Sequence, residues 1–419
     1  MRPLSSVAPF LAAALVLLSP PGAGPVLAQD SALVEAFRAN RLPLRFEGPT
    51  LAGAGGELLL REARAAQFTL VGEEHGVREV PQLVERLLNR LRDAGYRHVA
   101  IEVSPLAALR LRALARTGTP RAVLDSLFRD RSNWVPFYTM PPEAGLLAWA
   151  LDPSAGGYDV WGLDYDIMGD RYWLPRLESL APPEGRPAVA AARALADSGF
   201  ARALRGDPSR VFTFSAPESV FTALRAAVAP QAGSEAERII DVLATTTSIN
   251  RDFLSGRNYE SNEQRATNLK TNFLRVYDAA VAGGEAVPKV LFKFGAYHME
   301  RGLNGVRQYD VGWLAAAIAE AAGRRSFHVL LAGGPASDRA QFDPTSFSYK
   351  PQPAEMMRAE WMAAPRRSVA AEGFTLFDLR PIRALIQNRR LRDVPPQLER
   401  SIFGFDVLVV LTGSGPSTD

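Results

Sequence analysis

The sequence predicts an α/β fold with a mostly parallel central sheet flanked by helices. A helical insertion is expected to cap the edge formed by the carboxyl ends of the strands. Three observations carry this. Short apolar runs of strand length recur along the chain. The stretches between several of them repeat apolar residues every three or four positions. One long stretch, about residues 170–286, carries only the helical pattern. Apolar strands alternating with amphipathic helices indicate βαβ units, in which helices cover both faces of a parallel sheet.

In chain order, "SALVEAFRAN" reads as a short helix and an irregular stretch follows to about Gly56. "FTLVG" is the first strand. "EVPQLVERLLNRLRDAG" places Val80, Leu83, Val84, Leu87, Leu88 and Leu91 on one helical face, and Gly95 ends it. "RHVAIEVS" is the second strand. "PLAALRLRALARTG" is a helix opened by Pro105 and closed by Gly118, with Ser104 placed to cap it. "DVWGLDYD", "KVLFKFGAYH", "SFHVLLAGG" and "FDVLVVLTG" supply strands three to six. Residues 333–374, rich in proline and polar side chains, are expected to form a long ordered loop.

The first 28 residues have the layout of a secretory signal peptide. Arg2 precedes the apolar run "VAPFLAAALVLL", and Val26 and Ala28 supply the small residues of a cleavage site. Cleavage after Ala28 leaves one domain, 29–419, exported to the periplasm or the extracellular space. The run is too short to span a bilayer, so no stable membrane anchor is expected after cleavage. The chain contains no cysteine, which excludes disulfides, thiolate metal sites and a cysteine nucleophile. The net charge of +3 includes Arg2 and becomes +2 without it, and no basic run is interleaved with aromatics. Nucleic-acid binding is therefore not expected. Only four lysines and four histidines occur. Nothing in the sequence indicates an oligomeric state.

The acids and histidines fall in a pattern. Glu73 and His75 follow the first strand, Glu102 ends the second, Asp164 and Asp166 end the third, and His298 ends the fourth. In a parallel sheet these ends share one edge, where open α/β folds bind ligands. His98 and His328 fall within strands and read as structural, and Asp166 can equally serve as a turn residue.

The segments "VGEEHGVREVP", "IEVSP", "GLDYD" and "KFGAYHMERG" resemble the successive motifs of the erythromycin esterase family. That family lies in a wider superfamily with Tiki-type proteases and ChaN-like haem-binding proteins. "RATNLKTNF" is similar to a helix of the family, with Arg265, Asn272 and Phe273 matching, Ala266 in place of an acid and Leu269 in place of methionine. One residue rather than two separates Glu73 from His75, the form of the haem-binding and protease branches. The resemblance implies a histidine general base, His75. It also implies that Glu73, Glu102, Arg265, Lys293 and His298 surround the same cleft.

Ester hydrolysis at neutral pH needs a base for water and positive or donor groups where the carbonyl oxygen becomes negative. Imidazole has a suitable proton affinity, and Glu73 or Glu102 can orient it. Arg265, Lys293 or His298 can face the oxyanion. No G-x-S-x-G elbow is present, so direct attack by water is expected rather than a serine nucleophile. The expected function is hydrolysis of a small-molecule ester or lactone by histidine-activated water, with His75, Glu73, Glu102 and His298 catalytic. Arg265, Lys293 and Asp164 are expected to bind substrate, with no metal and no cofactor. Two alternatives use the same residues: a metal-dependent hydrolase, or a haem binder with a histidine or Tyr297 as axial ligand.

Overall fold

The computed structural model describes residues 27–130, 134–344 and 346–418. The first 26 residues, where most of the expected signal peptide lies, fall outside the described residues. A helix at Leu27–Ala39 runs across the expected cut after Ala28. Among the described residues no helix is long and apolar enough to cross a membrane.

Among the described residues eleven strands form: β1 (Arg41–Glu47), β2 (Thr50–Ala52), β3 (Phe68–Glu73), β4 (Tyr96–Ile101), β5 (Asp159–Gly162), β6 (Lys289–Gly295), β7 (Ser326–Gly333), β8 (Asp338–Asp343), β9 (Ser348–Pro353), β10 (Phe374–Asp378) and β11 (Val407–Leu411). Nine build one sheet in the order β2-β1-β10-β11-β7-β3-β6-β4-β5, while β8 and β9 form a separate hairpin. From β11 through β5 all neighbours are parallel, and β10, β1 and β2 extend the sheet antiparallel.

The six apolar runs become the parallel strands β3, β4, β5, β6, β7 and β11, and their alternation feeds two cores. Val71, Val99, Ile101, Leu291, Val329 and Val409 face one. Phe68, Leu70, Ala100, Phe292, Leu330 and Val410 face the other. Both faces are covered, so these strands are mostly apolar on both faces rather than alternating with polar residues. Ser104 caps the helix Pro105–Ala115, accepting from Ala107 N–H at 3.0 Å as expected.

Two expectations are corrected. The stretch to about Gly56 is not irregular: it forms β1, β2 and the start of the helix Gly53–Ala65. Most of β1 is partly or fully exposed, so it lacks the continuous apolar run of the inner strands. Residues 333–374 are not a loop either. They hold the β8–β9 hairpin and a helix at Ala363–Ser368. Phe342 and Phe347 of the hairpin region pack with Met168, Ala203 and Val211.

The stretch 170–286 is helical, with helices at Asp170–Leu180, Arg186–Ala203, Glu218–Val228, Glu235–Leu254 and Asn258–Ala282. On the last, Ala266, Leu269 and Phe273 are buried. Phe273 stacks edge-on against Phe68 and Phe292. Asn272 donates to the Leu163 carbonyl at 2.8 Å. This packing holds Arg265, two turns earlier, against the sheet's edge.

Candidate active site

Strand order decides which side chains meet. β6 runs between β3 and β4, so Glu73 aligns with Gly295, and Lys293 aligns with both Val71 and Ile101. Ile101 in turn aligns with Gly162 of β5. His75, Glu102, Asp164 and His298 follow these positions by one to three residues and converge on one edge.

The turn carrying His75 is held from outside. Gly76 adopts φ +83°, and a Cβ there would lie 2.1 Å from the Ala340 carbonyl oxygen of β8. Ala340 and Ser417 both donate to the Gly76 carbonyl at 2.8 Å. Glu74 faces away from the site. Its buried carboxylate accepts from the backbone N–H groups of Gly333, Glu355 and Met356 at 2.6–3.0 Å, clamping the turn to the following chain. Burial still leaves its carboxyl above the usual range, against those donors.

His75 lies between two carboxylates. Its Nδ1 is 2.8 Å from Glu73 Oε1, and its Nε2 is 3.4 Å from Glu102 Oε2. Glu102 Oε2 accepts the Gly295 N–H at 2.7 Å. Glu102 Oε1 accepts from Arg265 Nη2 at 2.7 Å and lies 3.7 Å from His298 Nε2. Arg265 is also held by Asp164, at 3.1 Å through Nε and 2.5 Å through Nη2. His298 Nδ1 is anchored to Asp310 at 2.8 Å. The Phe137 ring stacks on His75 with centroids 3.9 Å apart and planes 12° off parallel. The His75 and Arg265 side chains are 23% and 24% exposed, whereas those of Glu73 and Asp164 are 2% exposed. The cations thus form the surface of the site and the carboxylates its floor.

This arrangement sets the protonation states. Burial disfavours the charged imidazole of His75, but Glu102 and Glu73 outweigh it and raise its pKa to about 9. Burial would raise Glu102, but His75, His298 and Arg265 hold it well below the usual carboxylate range. Glu73 is also lowered, with burial opposed mainly by Lys293 and His75. His298 is raised, with burial overcome by Asp310 and Glu102.

All seven residues singled out from the sequence reach this region, but Lys293 does not reach the cleft. It projects toward the same core as Leu291 and is 1% exposed, with Nζ enclosed by Glu73 and Glu143 at 2.8–3.0 Å. It therefore supports Glu73 from below, and the expectation that it faces an oxyanion is replaced by that role. Asp166 opens a turn, its carbonyl accepting the Gly169 N–H at 3.3 Å, and its side chain is also a buried acceptor. It takes the Ser104 hydroxyl at 2.8 Å and the Trp173 indole N–H at 2.7 Å. Among the described residues no group of three or more histidine and acidic side chains is arranged to hold a metal ion. The buried carboxylates are instead engaged by Lys293 and Arg265.

Sequence reasoning missed Glu143, Phe137, Gly295 and Asp310. Glu143 did leave a trace, as the only charged residue of the apolar helix Pro141–Leu151. Asp310 is also the N-cap of the helix Val311–Ala321, a position legible in "YDVGWL".

Comparison with solved structures gives the fold a context. A Bacillus cereus protein aligns with a TM-score of 0.57 at 14% identity, covering 93% of this chain and 98% of its own. A succinoglycan biosynthesis protein aligns at 0.55 and 14% identity, covering 94% and 99%. An erythromycin esterase, solved as a mutant in its open conformation, aligns at 0.53 and 16% identity, covering 87% and 95%. The chain therefore has the fold of the erythromycin esterase along nearly its whole length. No family model matches the sequence, and no curated protein sequence matches it.

Proposed function

We propose that this chain is an exported hydrolase that cleaves a small-molecule ester or lactone with water activated by His75. One observation carries the reading. His75 is a partly exposed imidazole at the carboxyl edge of the sheet, and its Nδ1 is fixed by a buried carboxylate at 2.8 Å. With Nδ1–H donated to Glu73, the neutral ring carries its lone pair on Nε2, toward Glu102 and the cleft. There it takes a proton from water as the water oxygen bonds to the carbonyl carbon. The same proton then goes to the departing alkoxide when the ester C–O bond breaks. Arg265 and His298, gathered on the far side of Glu102, supply positive charge for the developing oxyanion. The shared fold with an erythromycin esterase supports the same reaction class.

The test is a panel of ester and lactone substrates assayed with the mature protein, with and without exhaustive chelation. Turnover is expected to survive chelation, and His75→Asn is expected to lower it by about 10²–10⁴-fold while the melting temperature holds. Loss of turnover on chelation, restored by one divalent ion, would make the site metal-dependent. A Soret band on the purified protein would point to haem. Export is tested by N-terminal sequencing of secreted material, which is expected to begin at Gln29.

A further inference from the structure

Beneath His75 lies an enclosed charge cluster that contributes no group to the cleft. Lys293 Nζ is 2.8–3.0 Å from both oxygens of Glu73 and 2.9–3.0 Å from both oxygens of Glu143. The three side chains are 1–2% exposed. Tyr138 closes one side, with its ring centroid 5.2 Å from Nζ. Glu73 Oε1 is shared, because it also holds His75 Nδ1.

The arithmetic of charge shows what the second carboxylate does. A buried lysine needs one carboxylate for neutrality. If Glu73 were that partner alone, its charge would be spent on Lys293 and little would be left for His75. Glu143 supplies a second negative charge to the same ammonium, so the three groups together carry one net negative charge for the imidazole to meet. Glu143 makes no hydrogen bond to His75; its hydrogen-bonded partner is Lys293, and its charge is felt more weakly by Glu73 and His75. The segment "FYTMPPE", residues 137–143, thus approaches His75 twice: Phe137 stacks on the ring, and Glu143 lies below the floor.

We propose that Glu143 is a positioning residue. Acting through Lys293, it keeps Glu73 available to His75 Nδ1 and so sets the orientation and the proton affinity of the imidazole. The consequence for rate rests on His75 being the working base, but the consequence for His75 itself does not. The groups that face the ring are Glu73, Glu102, Gly295 and Phe137. Arg265, His298, Asp164 and Asp310 lie behind Glu102, and Lys293, Glu143 and Tyr138 behind Glu73. Burial pushes the Glu143 carboxyl up to about 7, against the pull of Lys293. Its charge therefore changes in the neutral range.

The experiment is a histidine NMR titration of the full mature chain with labelled imidazoles, in which His75 is assigned by its loss in His75→Asn. The wild-type His75 signal is expected to show an inflection near neutrality from Glu143, below its own ionisation. Glu143→Gln is expected to remove that inflection and to lower the His75 pKa by about one unit, a tenfold change in proton affinity. Adding Lys293→Met to Glu143→Gln is expected to raise it again, because Glu73 is no longer held by the ammonium. A folded Glu143→Gln protein with the wild-type His75 titration overturns the proposal. If that variant does not fold, a wild-type titration without the lower inflection overturns it. A shifted His75 pKa in a protein that hydrolyses nothing would instead refute the hydrolase reading and leave this proposal standing.

Discussion

Gly295 is where the geometry of the site can be tested with one methyl group. A Cβ added there would lie 2.8 Å from His75 Nε2 and 3.5 Å from Glu102 Oε2. An ordinary van der Waals separation is about 3.5 Å, so the imidazole must retreat by roughly 0.7 Å. It has little room, with Phe137 stacked on one face and Glu73 holding Nδ1. The backbone of Gly295, at φ −54° and ψ 145°, is open to alanine, and its N–H stays on Glu102. The stability cost is therefore that of local overpacking, about 1–3 kcal/mol. The catalytic cost is that of a misplaced base: a displacement of about 1 Å can cost on the order of 10²-fold, so Gly295→Ala is expected to lose about 10- to 100-fold. The assay is kcat/KM on whichever ester the panel identifies, with a thermal melt and the His75 titration alongside. The loss is expected in kcat, with a lowered His75 pKa as its contact with Glu102 is strained. A variant with wild-type kcat/KM and an unchanged titration would refute the claim that the missing side chain of Gly295 leaves the space His75 needs.

Two further outcomes follow from the charges. Because His75 is raised to about 9, its base form is the minor one at neutral pH, and kcat/KM is expected to climb with pH until about 9. In Glu73→Gln the climb is expected to end at lower pH, as a pH–rate profile would show. His98, stacked on Trp161 and 2.9 Å from Glu285, has a raised pKa because Asp159 and Glu285 outweigh its burial. Its stabilisation is fully present below about 6.5 and is lost as pH rises through the folded pKa. His98→Asn is therefore expected to cost about 1 kcal/mol at pH 5.5 and less at pH 9, since Asp159 and Glu285 are 41% exposed, with turnover unchanged. Melting curves at the two pH values check this.

The inner strands were legible because both their faces are buried. β11 is an unbroken apolar run, and the apolar runs of β3, β6 and β7 are interrupted inside only by Thr69, Lys293 and His328; each strand is buried along nearly its whole length. β1 was not legible, because an edge strand with exposed and half-exposed positions carries too little apolar signal. β8 and β9 failed for a related reason. Their buried aromatics, Phe342 and Phe347, find their partners in Met168, Ala203 and Val211, far away in sequence. The histidines sorted correctly by position: His98 and His328 lie within strands, and His75 and His298 follow them.

What position along the chain could not supply was strand order, and strand order makes the site. β6 follows β3 by some two hundred residues, yet it runs between β3 and β4. If β4 lay directly beside β3, Glu73 and Glu102 would face one another with no backbone between them. Two ionised carboxylates so placed would repel, and one would take up a proton. Insertion of β6 puts Gly295 between them. Its N–H goes to Glu102, and its missing side chain leaves the space that His75 occupies. The same strand, two residues earlier, sends Lys293 under Glu73. One strand thus separates the two acids, neutralises one from below and makes room for the imidazole between them. Each of those tasks needs a particular residue at a particular register. The motif "KFGAYH" is therefore most informative at its lysine and glycine, the two positions that a search for acids and bases facing a cleft passes over.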